Sequence, residues 1–168
     1  IKIGSIAFNS MGRSFLMKAS SRGFKIFLDL KLHDIPTTVH ETILGFHDCP
    51  IDMLTVHLSG GEEMLKKARI ACRSINAKLI GVSILTSLKE SDTLTLFDNN
   101  LDDQIRSLFE IAVKSNIDGI VCSPLELGIS NTILDPNLIK ITPGIRNTKV
   151  EDDPVSYTHL RAHETRPN

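Results

Sequence analysis

The sequence predicts an α/β fold built on a parallel sheet. Three observations carry that prediction. Six short runs rich in Ile, Val and Leu mostly lack the alternation of a strand with one wet face, as strands covered on both sides do. Amphipathic segments of helical period lie between them. The repeated order of strand then helix calls for right-handed crossovers in a parallel sheet. Pattern alone fits both an open doubly wound sheet and a piece of an eight-stranded barrel.

In chain order, strands are expected at Ile1 to Ser5, Lys25 to Lys31, Met53 to Leu58, Lys78 to Leu85, Gly119 to Cys122 and Leu138 to Thr142. Between the third and fourth, Glu62 to Ile75 places Leu65, Ala68, Cys72 and Ile75 on one stripe. Its Glu62 and Glu63 fall in the first turn, where the helix dipole favours anions. Leu101 to Ser115 repeats the pattern with Leu101, Ile105, Leu108, Phe109 and Ala112. Asp92 to Asp103 begins acidic and loop-like and is expected to be a solvated connector.

The 168 residues suffice for one domain with a sizeable core. They fall short of the roughly 250 usual for a complete eightfold barrel. With 41% hydrophobic and 23% charged residues, the composition excludes a disordered chain. Lys and Arg number 19 against 20 Asp and Glu, so no basic excess points to nucleic acid or an anionic membrane. A small anionic ligand needs only a few placed cations and stays possible. No apolar run approaches the ~20 residues of a membrane span. No signal peptide is visible, and a first residue Ile1 implies that the true N-terminus is missing. Cys49, Cys72 and Cys122 form no CxxC pair and no zinc pattern, so reduced, buried or half-buried thiols of a cytoplasmic protein are expected.

The chain changes character at its end. Residues 154–168 show no apolar periodicity and hold the only tyrosine, Tyr157. His159 and His163, with Glu164 as a third group, could in principle hold a metal. Glu164 would point away from that face, and no metal is expected. The segment resembles the translation of a sequencing adapter and is read as a non-native tail. Residues 1–153 are the expected domain.

The densest chemical signal is FLDLKLHDIPTTV, residues 27–39. On a strand, Asp29 and Lys31 share a side. Opposite charges in an apolar strand are costly unless paired or functional. Asp34 follows where the strand should have ended, and Pro36 suits a turn or a first helical position. The three charges thus gather at the C-terminal end of a parallel strand, where α/β folds place ligands. Lys2 on the preceding strand joins them. The plainer reading of the same residues is a structural ion pair at a strand end.

This segment resembles the signature DLKxHDIPNT of the orotidine 5'-monophosphate decarboxylase family. IKIG at Ile1, VHLSGG at Val56, VSILTS at Val82, DGIVCS at Asp118 and ITPGIR at Ile141 resemble further segments of that family in the same order. The resemblance implies a (β/α)8 TIM barrel, here incomplete and covering about its strands two to seven. It implies a homodimer with shared active sites. The implied reaction converts orotidine 5'-monophosphate to uridine 5'-monophosphate and carbon dioxide in pyrimidine synthesis, with no metal and no cofactor.

Carried onto this sequence, the resemblance makes Lys31 the proton donor to C6 of the pyrimidine. Asp29 neighbours the departing carboxylate and helps hold Lys31. Lys2 orients Asp29 and the ribose hydroxyls. Asp34, Ile35 and Thr38 belong to the stretch that reaches into the partner's site, Thr86 lies near the base, and Arg146 contacts the phosphate. The chain departs from the pattern at Thr37, where the family usually has Asn, and both can hydrogen-bond near a helix start. The family's first strand, phosphate-loop glutamine and eighth strand have no counterpart here. An inactive, poorly soluble fragment with two unpaired sheet edges is therefore expected.

Smaller features read plainly. His33 could be a general base, but Lys31 already serves the proton chemistry. His57 is expected to be a packed or hydrogen-bonded histidine. The Ser59-Gly60-Gly61 turn could cradle a phosphate at a helix start, without the full glycine fingerprint. Two other functions compete: a magnesium-dependent sugar-phosphate decarboxylase or aldolase of the related barrel group, which shares DxKxxD, and an inactive barrel used as a binding module.

Overall fold

The computed structural model describes residues 1–88 and 90–143. All six expected strands are present. They are β1 (Lys2–Gly4), β2 (Phe27–Leu32), β3 (Met53–His57), β4 (Lys78–Val82), β5 (Gly119–Val121) and β6 (Ile139–Ile141). They form one all-parallel sheet in sequential order, with β1 and β6 at its edges. The helices between them are α1 (Ser5–Ser20), α2 (Pro36–Leu44), α3 (Gly61–Ser74), α4 (Glu90–Phe97), α5 (Leu101–Lys114) and α6 (Leu127–Ile133). Sequential parallel strands with intervening helices make a half-barrel, an incomplete (β/α)8 fold.

Alternation along each strand builds two layers. Ile3, Leu28, Leu54, Val56, Leu79 and Ile120 face outward into the main core. There they meet Val39 and Ile43 of α2, Leu65, Ala68 and Cys72 of α3, and Ile105, Leu108, Phe109 and Ala112 of α5. The stripes read from the sequence on α3 and α5 are thus their buried faces. Fully burying one such side chain is worth about 1.5–3 kcal/mol, so this layer holds the half-barrel together. The other face of the sheet carries Asp29, Thr55, Ile80 and Val82. Gly119 lies on that face, where a side chain would collide with Ile80 and Ile139.

Two expectations need correction. Residues 92–97 are not a loop: Glu90–Phe97 is helical, with Glu90 and Asp92 in the first turn complementing the dipole. Its β-branched Thr93 and Thr95 weaken helix propensity and hid it. The run from Lys78 to Leu85 is strand only as far as Val82. From Ser83 the chain leaves the strand: its amide still donates to the Val121 carbonyl of β5 at 3.1 Å, while its hydroxyl donates to Glu126.

An ion pair ties the outer layer to the sheet. Arg69 of α3 pairs with Asp118, just before β5, and Asp118 Oδ2 also accepts the Leu79 amide at 2.7 Å. Cys49, Cys72 and Cys122 are all buried and free. Among the described residues no helix is long and apolar enough to cross a membrane.

Candidate active site

The site is built from the C-terminal ends of the strands. Asp29 sits in β2 opposite Gly4 of β1 and is buried, only 6% exposed. A lone buried carboxylate would be costly. Asp29 is not alone. Lys31 donates from Nζ to its Oδ1 at 2.8 Å, Lys2 donates from Nζ to its Oδ2 at 2.9 Å, and the Thr55 hydroxyl donates to Oδ1 at 3.0 Å. Burial is the largest single influence on this carboxyl and pushes its pKa up. The bonds from Lys31, Lys2 and Thr55 together outweigh it and hold the pKa below 3.8.

Lys31 sits in unusual backbone. Its φ is 51°, in the left-handed region that costs a non-glycine residue about 1–2 kcal/mol. The strand pairing explains the strain. Leu28 pairs with Leu54 and Leu32 with Val56, so three residues of β2 stand opposite Thr55 alone. This bulge breaks the regular ladder, and the Lys31 amide donates to Thr55 Oγ1 at 2.8 Å instead. Asp29 and Lys31 meet as period-two alternation expects, and their meeting depends on this bulge. Strain stored at a strand end beside buried charge marks functional sites.

Lys31 lines a small cavity of about 70 Å3 with Val82, Ile84, Thr86, Cys122 and Pro143 among its walls. These residues come from the ends of β2, β4, β5 and β6, so the cavity lies inside the half-barrel's mouth. A larger cleft, about 380 Å3, is lined by Lys25, Asp52 and Asn76 at the opposite end of the strands. Barrels place chemistry at the C-terminal end, which favours the smaller cavity.

The structure therefore brings Lys2, Asp29, Lys31 and Thr86 together. It leaves Asp34, Ile35 and Thr38 exposed, on the loop and first turn of α2. Asp34 Oδ1 accepts the Ile35 amide at 2.7 Å and, among the described residues, makes no ion pair within 4.0 Å. Among the described residues, Asp29 is the carboxylate paired with Lys31. Pro36 is the first residue of α2, as its fixed φ favours, and no side chain caps that helix, so Thr37 makes no capping bond. Arg146 and residues 154–168, with His159, His163 and Glu164, lie outside the described residues.

His57 is half-buried and His33 is exposed. His33 and His57 rings lie 5.3 Å apart at an angle of 44°. Burial, then His33 and Lys31, hold the His57 pKa below 6.5. Gly60 ends a short 3-10 turn over Leu58–Gly60, Gly61 begins α3, and Gly60 is closed over by Met64 and His33. That crowding leaves little room for a phosphate against Gly60. Among the described residues no three His, Cys, Asp or Glu side chains converge where a metal ion could sit.

Thr55 escaped the sequence reading, although a hydroxyl between Leu54 and Val56 in an apolar strand was a signal. Glu126 escaped it too. It is buried, accepts from the Ser83 hydroxyl at 2.8 Å and from the Ser123 amide, and closes a capping box with Ser123. It joins the loops leaving β4 and β5, one of which carries Thr86.

Comparison with known proteins gives a consistent picture. A family model described as orotidine 5'-phosphate decarboxylase / HUMPS family matches residues 1–165. An orotidine 5'-phosphate decarboxylase of Buchnera aphidicola subsp. Baizongia pistaciae is 44% identical over 150 residues, 87% of this chain and 64% of that protein. One from Coxiella burnetii is 38% identical over 151 residues, with the same two coverages. A crystal structure of orotidine 5'-phosphate decarboxylase from Lactobacillus acidophilus superposes with a TM-score of 0.78 at 36% identity. It covers 86% of this chain and 68% of that one. The chain thus spans about 64% of the length of these first two relatives.

Proposed function

The chain belongs to the orotidine 5'-phosphate decarboxylase / HUMPS family, and from that premise we propose that it is the core of an enzyme converting orotidine 5'-monophosphate to uridine 5'-monophosphate and carbon dioxide. The observation that carries this reading is the bonded array of Lys2, Asp29 and Lys31 beside a cavity that also takes in Thr86. Intact, buried charge of this kind has no evident use in an inactive binding module.

The chemistry demands such an array. Loss of carbon dioxide from C6 of the pyrimidine leaves a carbanion that the ring cannot delocalise. With no cofactor, the protein must offset that charge electrostatically. Lys31, held against Asp29, carries the positive charge to the reacting carbon and delivers the proton that ends the step. The C6–carboxylate bond breaks, its electron pair stays on C6, and the Lys31 ammonium proton fills that position. Asp29 beside the substrate carboxylate repels it. Lys2 holds the second oxygen of Asp29 and faces the ribose hydroxyls. Thr86 meets the base and Arg146 the phosphate, whose binding positions the ring.

The same reading covers the partner. Asp34, Ile35 and Thr38 are exposed, and Asp34 makes no ion pair among the described residues, which supports a homodimer in which they complete the other subunit's site. It is a cytoplasmic enzyme acting on a free nucleotide. The 168-residue chain alone, with β1 and β6 at the edges of its sheet among the described residues, turns over little or nothing.

The test is decarboxylation of orotidine 5'-monophosphate by the protein at its relatives' full length, with and without EDTA. Equal rates of uridine 5'-monophosphate formation are expected. Activity abolished by EDTA would favour the magnesium-dependent sugar-phosphate chemistry instead.

A further inference from the structure

We infer that Thr55 is a positioning residue whose hydroxyl holds the bulge of β2 and turns Asp29 and Lys31 onto each other. The inference rests on the reading of those two residues as the reacting pair. Three residues of β2, Asp29 to Lys31, stand opposite Thr55. The Lys31 amide has no ladder acceptor there and donates to Thr55 Oγ1 at 2.8 Å. A hydroxyl has one proton. Having accepted from Lys31, Thr55 sends that proton to Asp29 Oδ1, 3.0 Å away. The same oxygen takes Lys31 Nζ at 2.8 Å. The result is a closed ring: Lys31 backbone, Thr55, Asp29, Lys31 side chain.

Thr55 has no exposed surface, so water does not stand in for either bond. Valine would satisfy the strand equally well in shape and β-propensity. The hydroxyl therefore serves its partners, and both are groups of the site. Without it the left-handed turn at Lys31 loses the bond from its amide to Thr55, and Asp29 loses one of its three side-chain donors among the described residues.

The experiment follows the Asp29 side-chain carboxyl by carbon-13 NMR during a pH titration of the 168-residue chain, its Thr55→Val variant and its Thr55→Ser variant. In Thr55→Val the Asp29 midpoint rises by about one pH unit, the weight of one bond to a charged group. Thr55→Ser keeps the hydroxyl and titrates with the parent. An unmoved midpoint in folded Thr55→Val overturns the inference, and so does an equal shift in both variants. Should Thr55→Val not fold, amide exchange in the parent decides. A Lys31 amide protected against exchange supports the bond to Thr55, and exchange at the open-chain rate removes it. No step reads decarboxylation, so this result and that of the activity test stand apart.

Discussion

Lys31 and Asp29 bond through Nζ and Oδ1 at 2.8 Å, across a bulge in which the Lys31 backbone turns left-handed. The pair is asymmetric. Asp29 is buried, whereas the Lys31 side chain stays 37% exposed at the edge of the cavity. A buried carboxylate thus anchors a lysine whose side chain stays open to the cavity. That arrangement yields predictions for stability, reactivity and catalysis.

Asp29 makes stability depend on acid. Its pKa lies below 3.8 in the folded chain, so the unfolded chain binds a proton more readily. Its contribution is fully present above 3.8 and is lost as the pH falls through the folded value. Urea unfolding between neutral pH and the acid range should show the parent losing stability in that window. Asp29→Asn should be less stable near neutrality and flatter in acid. Parallel curves for the two would contradict this account of Asp29.

Glu126 should matter for stability out of proportion to its distance from the reacting atoms. Glu126→Ala strips the Ser83 hydroxyl and the Ser123 amide of their acceptor in a buried setting. Orphaning buried donors costs about 1–3 kcal/mol each, so a loss of about 3 kcal/mol is expected in denaturant unfolding. A change below the measurement error would mean that the two loops are held by something else.

The thiols should be inert. Burial, followed by the neighbouring Asp118, pushes Cys72 up to about 12, and burial with Glu126 does the same for Cys122. Cys49 is also raised, chiefly by burial. A disulfide reagent at pH 8 should therefore label no cysteine quickly in the native chain and all three in urea. Rapid labelling of native Cys72 would show that α3 opens from the sheet.

Much of the fold was legible because its strands are continuous apolar runs, and all six were found. Their ends were not legible. Ser83 to Leu85 continue the apolar pattern of the strand before them, yet the strand ends at Val82 and the Ser83 hydroxyl is spent on Glu126. The helix at Glu90–Phe97 was hidden by its threonines. In the site, Lys2, Asp29 and Lys31 could be read because charges in apolar strands need a reason. Thr55 carried a weaker signal, a hydroxyl in an apolar strand, since a threonine also belongs in a strand on propensity alone. The bulge that brings it to Lys31 depends on pairing between two strands, which no single segment records. The spacing from Ser123 to Glu126 was a readable capping box, and it would have pointed to the clamp between two loops.

The most direct test of the central claim replaces Lys31 with alanine in the protein at its relatives' full length. Decarboxylation of orotidine 5'-monophosphate and binding of uridine 5'-monophosphate are measured side by side. If Lys31 offsets the developing charge and supplies the proton, turnover falls by more than about a thousandfold while product binding survives. Turnover within about tenfold of the parent would remove Lys31 from the chemistry, because a placed acid alone contributes more than that.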